Sequence, residues 1–149
     1  MEATEIRIGN LVTVDNPKYH PKLKDVILQV TGINETLGFE KEWTYGVSLE
    51  HINQLKYTYY ESYSQFIKFI KPIPLSEERL LEIFGLKRED TEINDFTFPH
   101  CDYIIIHKQV DDLFAVYING KTVLIKYIHQ LQNLYFDLIG EELIIKNNG

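Results

Sequence analysis

The sequence predicts an α+β fold, mainly antiparallel β. Three observations carry this: short runs of branched residues broken by Gly, Asn and Pro fill the first half, an Asn119-Gly120 dipeptide separates two strand-like runs, and helical spacing sets in after Ser76 and again after Tyr127.

Ile6, Ile8, Leu11 and Val14 open a strand interrupted at Gly9-Asn10, and a loop follows from Asp15 to Pro21. Val26 to Thr31 is a second strand closed by Gly32. The stretch from Tyr45 to Ile52 alternates weakly, and Phe66 to Ile70 alternates again before Pro72 and Pro74. Four short strands of this kind predict a small curled sheet or barrel of the Src-homology-3 or Tudor type.

Ser76 is a good N-cap, Glu77 and Glu78 complement the positive end of a helix, and Leu75 can staple onto Leu80. With Leu80, Ile83 and Phe84 forming an apolar stripe and Gly85 a stop, a short middle helix is predicted over 77–84. Lys87 to Asp90 reads as a charged connector, and Tyr103 to Ile106 as a buried strand. Phe114 to Ile125 predicts a β-hairpin, because Asn-Gly tolerates the positive φ values of a type I′ turn. An amphipathic helix follows over 127–139. Ile128, Leu131, Leu134, Tyr135 and Leu138 share one face, and Gly140 ends it. Leu143 to Ile145 would add a short final strand, with the last four residues fraying.

At 149 residues with 44% hydrophobic and 25% charged side chains, the chain has the size and composition of one domain, 1–149. Pro72 and Pro74 mark either a stiff turn or a boundary between sub-lobes, 1–72 β-rich and 73–149 α+β. Cys101 is the sole cysteine, so no internal disulfide forms, and cytoplasmic localisation is the expectation. The acidic N-terminus does not resemble a signal peptide, and no apolar run approaches the length of a membrane span. The formal net charge is −7, with 8 basic against 9 acidic residues over 1–75 and 7 against 13 over 76–149. Neutralising duplex phosphates needs a basic surface, so duplex nucleic acid is disfavoured as a partner.

The residues that invite chemistry form no recognised catalytic pattern. His100-Cys101-Asp102 holds a nucleophile, a base and a carboxylate, yet neighbours on extended chain point to opposite faces and cannot easily exchange a proton. His20, His51, His100, His107 and His129 lack the close pairing of metal sites, and the eight glycines form no phosphate loop. Neither catalytic residues, metal nor cofactor is expected. Two surfaces remain. His129, Gln130, Gln132 and Asn133, on the polar side of the last helix, could read a partner backbone or could be an ordinary exposed face. Tyr57, Tyr59, Tyr60 and Tyr63 could stack on a sugar, a peptide or an unpaired base, or could pack at the rim of the small sheet.

Ile125-Lys126-Tyr127-Ile128-His129-Gln130-Leu131-Gln132-Asn133-Leu134-Tyr135-Phe136, continuing to Gly140-Glu141-Glu142-Leu143, resembles the C-terminal signature of a family of uncharacterised small bacterial proteins, often carried by phages and mobile elements. Ile6 to Asn10 and Ile73 to Glu78 resemble two shorter stretches of it, whereas the tyrosine-rich segment departs from it. The family has no assigned activity, so the resemblance implies no catalytic or binding residues. The expectation is a non-enzymatic protein-interaction or accessory module. The alternative is a nucleic-acid or small-ligand binder using the N-terminal sheet, with Arg7, Lys18, Lys22 and Lys24 as its basic patch.

Overall fold

In the computed structural model, which describes residues 3–38, 40–52, 62–90 and 94–146, the chain forms two compact units, Met1–Ile73 and Pro74–Gly149. The class is α+β with mostly antiparallel strands, as the sequence predicts. No helix among the described residues is long and apolar enough to cross a membrane.

The first unit is a sheet of five strands: β1 (Leu11–Val14), β2 (Leu28–Leu37), β3 (Trp43–His51), β4 (Ser62–Phe66) and β5 (Ile70–Pro72). Their order is β4-β3-β2-β1-β5, and every neighbouring pair is antiparallel. Val12, Val14, Leu28, Val30, Val47, Leu49 and Ile70 are buried in one cluster, joined by Ile6 and Leu23 from the connections. β1 starts later than the sequence suggests. Gly9, at φ 96°, turns the chain, and the buried Asn10 side chain accepts the Arg7 N–H at 2.8 Å, so Ile6 to Gly9 stays outside the sheet. Gly32 does not close β2 as expected. The strand continues to Leu37 with a register shift between Val30 and Gly32, the local bend that a bulge at a glycine allows. The segment 66–70, expected as one strand, divides into the end of β4, a 3-10 turn (Ile67–Phe69) and the start of β5.

In the second unit, α1 (Glu77–Glu82) is capped by the Ser76 hydroxyl, which accepts the Arg79 N–H, while Leu75 and Leu80 are buried. A five-stranded meander follows: β6 (Lys87–Asp90), β7 (Asp95–Phe98), β8 (Cys101–Lys108), β9 (Phe114–Ile118) and β10 (Lys121–Ile125), in sequence order across the sheet. Asn119 and Gly120, both at positive φ, connect β9 to β10, and Ile118 pairs with Lys121. Alternation along the strands buries Phe96, Phe98, Ile104, Ile106, Phe114 and Val116. α2 (Ile128–Ile139) covers this side. Its Leu131, Leu134, Tyr135 and Leu138 close over Phe98, Ile104 and Val116, and the Phe98 and Tyr135 rings lie 5.0 Å apart. Gly140, at φ 80°, donates its N–H to Phe136 O and ends the helix.

Two expectations fail in this unit. Lys87 to Asp90 is not a connector but the edge strand β6, where charged side chains suit a solvated edge. Leu143 to Ile145 adds no strand. Leu143 is buried, and the Lys146 N–H donates to Ile83 O at 2.6 Å, so the tail is tied to the residue that ends α1.

Glu77 links three elements, pairing with Arg88 of β6 and with Lys108 Nζ of β8 at 2.8 Å. The hydrogen bond from Lys108, helped by the charges of Lys108 and Arg88, holds its carboxyl below the ordinary value of 4.5 against the opposing effect of partial burial. A carboxyl with a lowered folded pKa stabilises the fold above its unfolded pKa, and that contribution is lost as pH falls through the folded value. Urea midpoints should therefore fall on acidification below 4.5 in the parent chain. Glu77→Gln should be less stable near neutrality and lose less on acidification; equal acid sensitivity of the two proteins would refute the linkage.

Candidate functional site

A cleft of about 300 Å³, lined by both aromatic and neutral polar side chains, lies within the first unit. Its walls come from the β1–β2 loop, which supplies Asn16, Tyr19 and His20, and from the region of the 3-10 turn, which supplies Phe66 and Phe69. Asn34 and Thr36 of β2, Gly46 of β3 and Ser64 and Gln65 of β4 complete it. The loop is held by its own backbone. Asp15 N–H donates to Phe69 O at 2.9 Å, His20 N–H to Asn16 O at 2.8 Å, and Leu23 N–H to His20 O at 3.1 Å. The first of these bonds ties the loop to the 3-10 turn, and the other two lie within the β1–β2 connection.

Two buried amides sit in this lining. Asn16 Nδ2 donates to Gln65 Oε1 at 2.9 Å across 49 positions of sequence, and the two residues are only 6% and 5% exposed. That bond uses the donor of one amide and the acceptor of the other, which leaves Asn16 Oδ1 and the Gln65 NH₂ group able to serve a ligand. Such a pair contributes about 1 kcal/mol net, while breaking it strands a buried polar group at about 1–3 kcal/mol. Gly46 gives the cleft depth. A Cβ there would meet Thr36 Cγ2 at 3.3 Å and Asn34 Oδ1 at 3.4 Å, so any side chain would fill the space. Glycine inside a strand weakens it, and close approach of another backbone or a ligand is a usual reason for one.

No Lys, Arg, Asp or Glu is among the described lining residues. The cleft therefore offers ring faces and neutral hydrogen-bonding groups rather than charge. Beside it, Tyr63 is half-buried with its ring edge-on to His20 at 6.2 Å and to His51 at 5.7 Å, and its hydroxyl is 3.5 Å from His51 Nε2.

The residues singled out from sequence are distributed differently. His129 and Gln132 are buried, at 3% and 1% exposure, and the His129 ring stacks on Tyr127 at 5.8 Å. Gln130 is occupied by the helix itself, its Oε1 accepting the N–H groups of Lys126 and Tyr127 at 2.8 and 3.1 Å. Asn133 is half-buried. The polar side of α2 is thus largely internal or engaged in capping, and it is not the open recognition face that its composition suggested. Tyr57, Tyr59 and Tyr60 lie outside the described residues; Tyr63 packs against the core of the first unit. Lys18, Lys22 and Lys24 are exposed around the β1–β2 loop, Lys18 lies 4.9 Å from the Tyr19 ring centroid, and none of the basic patch lines the cleft.

His100-Cys101-Asp102 divides between a turn and the start of β8, with Cys101 buried and His100 and Asp102 exposed. His107 Nδ1 lies 2.6 Å from Asp95 Oδ1, a cross-strand pair of β7 and β8. Among the described residues no group of three or more His, Cys, Asp or Glu could hold a metal ion. Sequence reasoning missed Asn16 and Gln65, since nothing in their local surroundings couples positions 49 apart; the legible signal was Gly46 inside the alternating stretch from Tyr45 onward. No protein-family model matches the chain, and no curated protein matches it in sequence.

Burial should decide the behaviour of Cys101. Iodoacetamide should label the native chain orders of magnitude more slowly than the urea-unfolded chain, since attack requires an exposed thiolate; fast labelling of native protein would contradict the burial.

Proposed function

We propose that the chain is a non-enzymatic interaction module whose first unit, a small barrel of Src-homology-3 type, binds an extended, uncharged, proline-rich segment of a partner protein in the cleft beside the Asn16–Gln65 pair. Support for the barrel type comes from the antiparallel order β4-β3-β2-β1-β5 together with a 3-10 turn between the fourth and fifth strands. Barrels of this kind take polyproline II segments in aromatic-lined grooves.

The observation that carries the reading is the buried amide pair in an uncharged cleft. A polyproline II segment makes no internal hydrogen bonds, so its carbonyls are open to a donor such as the Gln65 NH₂, and its ring-bearing faces suit Tyr19, Phe66 and Phe69. A single-stranded nucleic acid would need cations along its phosphates, and the described lining residues include no Lys or Arg. Carriage on a mobile element, which the C-terminal stretch resembles, would suit an accessory protein that acts by docking on host proteins.

The test is a titration of the full ¹⁵N-labelled chain with blocked decapeptides rich in proline and free of charged residues, against oligothymidine as the competing class. Saturable peptide binding should move the amide signals of Asn16, Gly46 and Phe69 and vary little with salt. Gln65→Leu should weaken it about tenfold, the value of one polar contact plus the stranded Asn16 amide. Gly46→Val should abolish it by filling the cleft. Peptide binding unaffected by Gln65→Leu in a folded protein, or preference for oligothymidine, would overturn the reading.

A further inference from the structure

The second unit holds another cleft of about 300 Å³ with a more strongly apolar lining. Phe84, Phe98, Tyr135, Leu143 and Ile144 make it predominantly apolar. Among the described residues, its only lining groups that can carry positive charge are Lys146 and His100, and no described Asp or Glu lines it. Gly85, at φ +65°, opens the floor. A Cβ there would meet Lys146 Cδ at 3.4 Å, so the lysine stem lies along the glycine, while the Lys146 N–H bond to Ile83 O fixes its backbone. Lys146 is exposed, which leaves its ammonium at the mouth of an apolar hollow. The Tyr135 phenol belongs to the same lining. Burial first, then Cys101 and the outlying Glu141, push its pKa above the usual value and keep it protonated.

An apolar body with a cation at one end complements an apolar ligand with an anion at one end. The volume is at the lower limit of small-molecule sites, which selects a short chain over a long one. We propose that this cleft binds a small amphipathic carboxylate, its hydrocarbon among Phe84, Phe98, Leu143 and Ile144 and its carboxylate at Lys146. The site is independent of the peptide cleft. It stands on residues of the second unit alone.

Octanoate and octylammonium, equal in chain length and opposite in charge, are the probes, each titrated into the full ¹⁵N-labelled chain. Octanoate should bind saturably and shift the amide signals of Gly85, His100 and Ile144. Octylammonium should bind about tenfold more weakly or not at all, since it brings like charge to Lys146. Lys146→Glu should reverse that preference, and Ile144→Asp should weaken octanoate. Both positions are exposed, so neither change threatens the fold. Equal binding of the two probes, a preference that survives Lys146→Glu, or no saturable octanoate binding would each overturn the proposal.

Discussion

The first unit depends on β1, a strand of only four residues that pairs with β2 on one side and β5 on the other. Backbone groups inside a protein must be hydrogen-bonded, and a central strand satisfies them on both edges only when its two neighbours are in register. Leu11 and Val12 meet Gln29 and Leu28, while Val12 to Val14 meet Pro72 to Ile70. This double pairing joins residues separated by nearly the whole length of the unit. It also brings the end of β1 to the 3-10 turn, where the Asp15–Phe69 bond forms. The cleft of the first unit is framed by that double pairing. Asn16 follows Asp15 directly, and Gln65 lies just before the turn.

The second unit solves the same problem by adjacency. Each of its five strands pairs with the next in sequence, so no closing strand is needed, but one face must then be covered by another element. α2 does this with Leu131, Leu134, Tyr135 and Leu138. Glu77 joins the start of α1 to two strands through Arg88 and Lys108, so a helix of six residues, too short to stand alone, is held by the sheet.

Local chemistry made much of this legible. The N-cap Ser76 and the stop at Gly140 act through neighbours within four residues, and both helices lie within a few residues of the spans that periodicity marked. What depended on partners far along the chain was not legible. Gly32 reads as a terminator in isolation, yet β3 pairs with β2 on both sides of it and carries the strand onward as a bulge. Lys87 to Asp90 has a loop-like composition and becomes a strand because β7 is there to pair with it. The same limit hid the site. His129, Gln130 and Gln132 look like a surface because they are polar, whereas Asn16 and Gln65 look like ordinary loop and strand residues. Their burial follows from tertiary pairing, which composition does not encode.

Both clefts have a glycine in their lining. Gly46 lies inside β3, paired on both sides, and Gly85 takes a positive φ just past α1, a conformation that glycine adopts without strain. At Gly46 a side chain would press on Thr36 and Asn34; at Gly85 it would meet the Lys146 stem. The surrounding groups differ as much as the glycines agree. Amides and aromatic rings surround Gly46, and apolar side chains with a terminal ammonium surround Gly85. A neutral hydrogen-bonding hollow discriminates through donor and acceptor positions, since a mismatched ligand makes no bond to Asn16 Oδ1 or to the Gln65 NH₂ group. An apolar hollow with a cation discriminates through charge and chain length instead. Two units of similar size, each built on a five-stranded antiparallel sheet, are thereby suited to ligands that cannot substitute for one another.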